Sequence, residues 1–435
     1  MAAFTKCLIL VQLFATTFVA ASLDTEYTNS AYLDEKETFK LHWKIDDTKK
    51  EISFAVQVKT LGWVGFGISA GTGNMVGSDV VIGWVKDNKG YLKDRYAEQQ
   101  ALPPIDEKQD YKLTDAYEKN GETVLKFTRK YDTCDDKDRK IEQGTVRVVY
   151  AYHENDPTSE TNIPKHAVRG SRSLILLNVL TKKPSLPSDI KHFDIRVNTS
   201  LSNKRTTYYC KPFRIPDLGS KKHVVKIAPI VSPGNEGLVH HILIYGCSDD
   251  FPLSNLSAEG VCNSPNMPGS FGACAGQSVV AAWAIGGSSF FFPDHVGYPL
   301  GSDIGPKFVL FEVHYDNQDE KSGLKDQSGL RFYYTPTLRQ YDADILWVGW
   351  GVTSRMLIPP HQQQWDSVGY CSANCTRIGF QNSTLPGGGI KVFASLLHSH
   401  LLGIRGVGLW TKHVRNGKEL PEIARDDHYD FNYQV

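Results

Sequence analysis

Apolar residues alternate with polar ones along much of this chain, and this period-two pattern is typical of β-strands. The clearest runs are Phe39-Leu41-Trp43-Ile45 and Ile52-Phe54-Val56-Val58. Turn-forming residues separate such runs, as in the segment Asp87-Asn88-Lys89-Gly90. No helical periodicity is evident over three turns. The sequence therefore predicts an all-β protein built from β-sandwich domains.

The length and charge of the chain limit its organisation and partners. At 435 residues it is long enough for two to four domains, and 41% hydrophobic residues supply their cores. We place a first sandwich at residues 35–180, a linker at 181–190, a second domain at 191–338 and a third at 345–435. The 48 basic residues balance the 48 acidic ones, so charge gives no support to a nucleic-acid partner.

Residues 1–21 have the features of a secretory signal peptide: a lysine, an apolar run and small residues before Ser22. A signal anchor is the alternative, but the apolar run is short, and no later stretch is apolar enough to span a bilayer. We therefore expect a secreted chain, or one in the lumen of the endoplasmic reticulum or of vesicles. Four N-x-S/T sequons agree with this route and predict glycosylation at Asn198, Asn255, Asn374 and Asn382.

The cysteine count is odd once the signal segment is removed. The chain has 8 cysteines, and Cys7 lies within residues 1–21, which leaves seven. In an oxidising compartment an odd number implies a free thiol, an intermolecular bond or a missing partner.

His398 and His400 lie two residues apart in the apolar segment LLHSHLLG. On a strand both side chains would leave the same face, which is a chelating geometry. The alternative is a pair of exposed histidines on a surface strand, which fits poorly with the apolar neighbours.

His240 and His241 are adjacent in LVHHILIY, so a regular strand would send them to opposite faces. Both can reach one metal only if the strand twists or bulges there. His314 lies alone in LFEVHYDN, and His223, in a KKH run, is expected at the surface. Imidazoles clustered on strands suit copper, and a zinc hydrolase is a rival reading.

Seven motifs, in this order, are similar to those of the copper type II ascorbate-dependent monooxygenases, in the dopamine β-hydroxylase-like branch. They are TTYYC at 206–210, GNEGLVHHILIYGC at 234–247, CNSPNMPG at 262–269, AWAIGG at 282–287, FPDHVGYPLG at 292–301, FEVHYDN at 311–317 and FASLLHSHLLG at 393–403. Upstream, LGWVGFGIS and GSDVVIGWV resemble a DOMON domain. The resemblance implies a DOMON β-sandwich followed by two jelly-roll-like copper monooxygenase domains.

The resemblance also implies roles for individual residues. The first copper would be held by His240, His241 and His314, and the second in part by His398 and His400. Tyr208 matches a tyrosine that the family places in the active site, although it could equally be a tyrosine packed beside a disulfide. Tyr208 and His398 would be catalytic. The implied disulfides are Cys210–Cys262 and Cys247–Cys274.

The implied reaction is hydroxylation of a C–H bond in a small substrate of the phenethylamine type. It would use two coppers, dioxygen, and ascorbate as reductant.

Two departures from the family pattern concern the last domain. The family's second copper takes a methionine downstream of the H-x-H motif, and no methionine follows His400 here. The resemblance also leaves Cys134, Cys371 and Cys375 without their implied partners, although Cys371 and Cys375 could pair with each other. We therefore expect an incomplete, C-terminally truncated last domain and impaired hydroxylation.

Two alternatives to catalysis follow. One is a secreted, non-catalytic copper-binding protein that keeps only the first copper site, formed by His240, His241 and His314. The other is implied by the resemblance to DOMON domains, some of which bind haem through a methionine and a histidine: a haem- or ligand-binding role through Met75 and His166. The plainer reading of that pair is a core methionine and a surface histidine.

Overall fold

The structure is a computed structural model of the chain. It describes residues 22–34, 36–70, 73–177, 184–275, 278–301, 304–349, 357, 359–362, 365–381, 390–399, 409–411, 414–415, 418–427, 429–431 and 433. The chain divides into two compact units, Met1–Leu177 and Asn178–Val435. Strands dominate both units, so the predicted all-β fold is confirmed.

The described residues of the first unit form one short helix and ten strands. In chain order they are α1 (Leu23–Glu26), β1 (Asn29–Tyr32), β2 (Phe39–Asp46), β3 (Glu51–Val58), β4 (Val64–Ile68), β5 (Asp79–Lys86), β6 (Lys89–Tyr96), β7 (Lys112–Lys119), β8 (Glu122–Lys130), β9 (Val146–Tyr152) and β10 (Val168–Leu174).

These strands form two antiparallel sheets, ordered β1-β2-β3-β8-β7 and β10-β9-β4-β5-β6. Aromatic rings from the two sheets meet between them. The ring centroid of Phe54 on β3 lies 5.3 Å from that of Phe66 on β4 and 5.6 Å from that of Phe127 on β8. All three side chains are buried. The alternation read from the sequence thus places one face of each sheet in a shared core.

The second unit contains the remaining elements. They are β11 (Lys191–Arg196), β12 (Thr199–Ser200), β13 (Thr206–Arg214), β14 (Lys222–Ile230), β15 (Val239–Gly246), a 3-10 helix (Leu253–Ser257), β16 (Gly260–Val261), α2 (Gly269–Ala275), β17 (Val279–Ala284), β18 (Phe290–Phe291), β19 (Val296–Leu300), β20 (Phe308–Asp316), β21 (Lys325–Asp326), β22 (Gly329–Thr335), β23 (Tyr341–Asp342), α3 (Ala373–Gln381), β24 (Leu409–Thr411), β25 (Val414–Arg415), β26 (Lys418–Glu419) and β27 (Ala424–Asp426).

Two larger sheets organise this unit. One has the order β11-β22-β14-β19-β23 with β18 paired to β14, and the other has the order β16-β13-β20-β15-β17. Their buried residues join in one core, which includes Val224 and Phe332 from the first sheet and Ile242, Phe311 and Val313 from the second. The second sheet is the one that carries the histidines discussed below.

His223 corrects one sequence expectation. It is the second residue of β14 and is 0% exposed, not at the surface. Its Nδ1 accepts the backbone N–H of Arg339 at 2.9 Å, and its Nε2 lies 2.8 Å from Asp342 Oδ1. The prediction from the KKH run was wrong because only the two lysines are solvated. The imidazole ring turns inward to Arg339 and Asp342, which lie more than a hundred residues further along the chain.

The region after β23 has little regular structure among its described residues. Residues 345–349 and 390–399 form no strand, so the strand expected around His398 is not found there. Short pairs β24–β27 and β25–β26 and the helix α3 are present instead. Among the described residues, none of the helices has the length and hydropathy needed to cross a membrane.

Candidate metal centre

Three buried histidines converge on the second sheet of the second unit. His240 and His241 lie on β15, and His314 lies on the neighbouring strand β20. Their exposed fractions are 1%, 3% and 1%. One ring nitrogen from each lies within 4.8 Å of the others, so a single metal ion could contact all three.

A β-bulge brings the adjacent pair together. The register between β15 and β20 shifts between Val239 and His241, so that Val239 pairs with Tyr315 and His241 pairs with His314. His240 is therefore the extra residue, and its side chain can turn to the same side as that of His241. The sequence analysis required a twist or a bulge for both imidazoles to reach one metal, and a bulge is present.

The three rings pack edge against face around a common centre. Ring centroids lie 5.3 Å apart for His240 and His241, 4.9 Å for His240 and His314, and 4.8 Å for His241 and His314. Imidazoles brought this close in a buried site suit a metal that binds neutral nitrogen ligands, such as copper or zinc.

The Nε2 atoms of two of these rings are held by outer partners. The backbone carbonyl of Phe431 lies 2.9 Å from His240 Nε2, and the Thr206 hydroxyl lies 2.8 Å from His314 Nε2. A carbonyl can only accept, so His240 Nε2 carries the proton and its Nδ1 presents the lone pair. That Nδ1 lies 3.0 Å from His241 Nδ1, which makes the Nδ1 atoms the natural ligands.

Tyr208 lies against the cluster. It is the register partner of His314 on β13, and its ring stacks on that of His314 with centroids 4.3 Å apart and 3° between the planes. It also packs against the cluster formed by the two disulfides, as the alternative interpretation expects, and its role in an active site stays a prediction. Burial raises the pKa of its hydroxyl to about 12, which keeps the phenol neutral.

The structure brings His398 to the edge of the same cluster. Its ring centroid lies 5.6 Å from that of His241, and the residue is exposed. His400 lies outside the described residues. A second metal centre built on these two histidines therefore stays a prediction.

The two implied disulfides, Cys210–Cys262 and Cys247–Cys274, are both formed. They flank the sheet that carries the histidines, since Cys210 is on β13 and Cys247 follows β15 directly. Cys134, Cys371 and Cys375 are free and exposed.

The sequons differ in accessibility. Asn198 and Asn374 are exposed, whereas Asn255 is half-buried and its Nδ2 donates to Ser270 Oγ at 2.9 Å. Asn382 lies outside the described residues, and glycosylation itself stays a prediction.

Met75 and His166, the alternative haem ligands, lie near opposite ends of β4. His166 precedes β10, whose first residue pairs with Tyr152, and Tyr152 pairs with Val64 at the start of β4. Met75 lies in the loop that follows Ile68 at the other end of that strand. This arrangement gives no support to joint haem ligation.

Sequence reasoning missed Thr206 and Phe431. Thr206 lies two residues before Tyr208 on β13, so strand periodicity could have placed both on one face. Phe431 stacks on His240 with ring centroids 4.1 Å apart, and its distance of 191 residues along the chain left no local signal.

Comparisons with known proteins agree with this geometry. Family models match the DOMON domain at residues 35–153, the N-terminal domain of copper type II ascorbate-dependent monooxygenases at 193–322 and their C-terminal domain at 341–435. "Dopamine beta-hydroxylase" of Equus caballus is 35% identical over 432 residues, which cover 98% of this chain and 69% of the relative.

The chain belongs to the copper type II ascorbate-dependent monooxygenase family. Among the relatives of this chain, "DBH-like monooxygenase protein 1" of Mus musculus is 41% identical over 420 residues, covering 95% of this chain and 66% of that protein. The chain thus spans about two thirds of the length of the curated relatives it matches. A solved cytochrome b domain of pyranose dehydrogenase from Coprinopsis cinerea overlaps 34% of this chain and 80% of its own, at 15% identity and a TM-score of 0.29. That overlap is too low to support an argument.

Proposed function

We propose that this chain is a copper-dependent monooxygenase that hydroxylates a C–H bond of a small substrate with dioxygen and ascorbate. The observation that carries the proposal is the buried cluster of His240, His241 and His314, in a chain of this family. A relative named dopamine beta-hydroxylase favours a phenethylamine-like substrate. The secretory route read from residues 1–21 belongs to the same proposal.

The cluster fits copper by the chemistry of its donors. Three neutral imidazoles can hold copper in both of its oxidation states, and copper, when bound, supplies one-electron redox chemistry. Neighbouring residues that do not bind the metal would orient the histidine ligands. The carbonyl of Phe431 and the hydroxyl of Thr206 hold two Nε2 atoms, which directs the Nδ1 atoms inward.

Tyr208 would act as a positioning residue. Its ring covers one face of His314 and limits rotation of that imidazole. Its phenol, with the pKa raised to about 12 by burial, stays neutral and adds no negative charge beside the metal. His398 and His400 would supply ligands of a second copper.

A secreted copper-binding protein without catalysis is the second candidate. The observation in its favour is the contrast between the buried three-histidine cluster and His398, which is exposed and outside any strand. The two candidates differ in copper stoichiometry and in turnover.

The test uses the full chain, first stripped of metal and then loaded with copper. We expect about two coppers per chain and ascorbate-dependent oxygen uptake coupled to a hydroxylated phenethylamine product, at a slow rate in keeping with the impaired hydroxylation expected from the sequence. His240→Ala should lose one copper and the coupled product. His192→Ala, which removes an exposed histidine on β11, is the matched control and should behave like the wild type.

The other possible outcomes decide between the two candidate functions or contradict both. One copper per chain without product formation supports the copper-binding candidate instead. Product formation that survives His240→Ala, or a chain that retains no copper, contradicts both proposals. Free copper at the same concentration gives the background of uncoupled ascorbate oxidation.

A further inference from the structure

Three carboxylates meet inside the first unit, far along the chain from the histidine cluster. Asp79 begins β5, Asp94 lies on β6, and Asp138 lies in the segment after β8. One oxygen from each lies within 4.8 Å of the others. Asp79 and Asp94 are each 1% exposed, and the Asp138 side chain is 4% exposed.

Each carboxylate has a buried oxygen that accepts no hydrogen bond. These atoms are Asp79 Oδ1, Asp94 Oδ1 and Asp138 Oδ2. A buried carboxylate oxygen without a donor is costly, because it has lost its water and gained no replacement. Buried polar atoms in folded proteins are nearly always satisfied, so unsatisfied oxygens on three clustered carboxylates indicate a missing electropositive partner.

The positive charge within the cluster is smaller than the negative charge of its carboxylates. Arg129 donates to Asp79 Oδ2 at 2.6 Å, and its Nη2 lies 3.9 Å from Asp138 Oδ2. Three carboxylates and one guanidinium leave two negative charges. Asp110 adds to the excess, since it lies beside Asp94, donates its amide to Asp94 Oδ2 and has a buried oxygen of its own without a hydrogen bond.

The pKa values of Asp79 and Asp94 agree with an excess of negative charge in the cluster. Burial raises the pKa of Asp79 to about 7, even though Arg129 opposes the shift. Burial, and then the charge of Asp79, raises the pKa of Asp94 to about 8. Both shifts have the direction expected for carboxylates that are buried beside other negative charges.

We propose that Asp79, Asp94 and Asp138 bind a divalent cation of the size of calcium. Calcium takes oxygen ligands at about 2.3–2.6 Å, so oxygens on opposite sides of one ion lie about 4.8 Å apart. Three oxygens within 4.8 Å of one another are therefore close enough to contact one such ion. Carboxylates are hard ligands with no imidazole or thiolate among them, which favours calcium over copper.

The proposed ion would join both sheets of the first unit. It would contact β5 and β6 of one sheet, and through Asp79 and Arg129 it would be linked to β8 of the other. The segment after β8 would be fastened by Asp138 and by the amide of Arg139, which donates to Asp79 Oδ2 at 3.1 Å.

Calcium binding is measured on the full, metal-free chain by equilibrium dialysis against calcium chloride, which requires no enzymatic activity. We expect one calcium per chain, and at least a tenfold loss of affinity in Asp94→Asn. Asp115→Asn, which neutralises an exposed carboxylate on β7, is the matched control and should bind like the wild type. A wild-type chain that binds no calcium, or Asp94→Asn binding unchanged, overturns the proposal.

Thermal unfolding separates a lost ligand from a damaged fold. In chelator, Asp94→Asn removes an uncompensated buried charge, so we expect it to unfold at or above the wild-type temperature. In calcium the order should reverse, because only the wild type gains the ion. An equal loss of stability in Asp94→Asn with and without calcium would show a purely structural role and would refute the cation site.

Discussion

At the scale of single residues, the candidate copper site depends on one extra position in a strand. His240 is the bulged residue of β15, and without the bulge it would face away from His241. Deleting a residue or inserting one nearby would turn one of the two imidazoles to the other face. The contact of Thr206 with His314 and that of Phe431 with His240 then select which nitrogen of these two rings faces inward.

Thr206 offers a direct test of this orientation. Thr206→Val removes the hydroxyl that holds His314 Nε2, and we expect copper to bind about 10-fold more weakly, the lower end for loss of an outer partner of a metal ligand. The measurement is competition with a copper chelator of known affinity. Thr206→Ser keeps the hydroxyl and should bind copper normally. Equal affinities of Thr206→Val and wild type would show that Thr206 does not orient His314.

His223 predicts a pH dependence of stability in the second unit. Burial lowers its pKa below the usual 6.5, while Asp342 opposes the shift and Lys221 and Arg339 add to it. The unfolded chain therefore takes up a proton below about pH 6.5, where the folded chain still resists it. Stability from this group is complete above pH 6.5 and is lost as the pH falls below it.

The check compares urea midpoints of wild type and His223→Gln at about pH 7.5 and about pH 5.5, above and below the usual pKa of histidine. We expect the variant to be less stable at the higher pH, because the bond from Arg339 N–H is lost. Its loss of stability between the two pH values should be smaller than that of the wild type. Identical losses would exclude His223 as a source of the pH dependence.

At the scale of elements, disulfides fasten the sheet that carries the histidines. Cys247 follows β15, and its bond to Cys274 holds α2 against that strand. Cys210 on β13 is bonded to Cys262 just after β16. The two strands on either side of β20, β13 and β15, are thus each joined by a disulfide to a neighbouring segment. His314 lies on β20, between them.

Removing the Cys247–Cys274 bond should destabilise the second unit by about 3–4 kcal/mol, the loop-closure contribution expected for a separation of 27 residues. The variant combines Cys247→Ala with Cys274→Ala, so that no thiol remains to mispair. Guanidinium unfolding under non-reducing conditions measures the loss. Cys134→Ala removes an exposed free thiol and serves as the control. A loss no larger than that of the control would contradict the prediction.

At the scale of the whole molecule, the two units hold different candidate metal sites. The acidic site lies in Met1–Leu177 and the histidine site in Asn178–Val435. Their donor atoms differ, with oxygen in the first unit and nitrogen in the second. The first should therefore select calcium and the second copper.

Copper should raise the unfolding temperature of the transition that belongs to the second unit. At a free copper concentration a hundred times the dissociation constant, the gain is about 2.7 kcal/mol. Calorimetry of the metal-free chain, with and without copper, measures it. We expect His192→Ala to show the same gain and His241→Ala to show a clearly smaller one, because only the first copper has lost a ligand. A copper-induced gain of the wild-type size in His241→Ala would place the first copper elsewhere.

The sequence alone was sufficient for the all-β class and for the family, because alternation is local and the motifs are contiguous. The sequence also required a twist or a bulge if His240 and His241 were to share a metal, because the periodicity of a regular strand would send them to opposite faces. Only the tertiary structure showed that His223 is buried, that Thr206 and Phe431 hold the imidazoles, and that Asp79, Asp94 and Asp138 converge. These contacts join residues distant along the chain, and the balance between solvation and burial that decides them has no local signature in sequence.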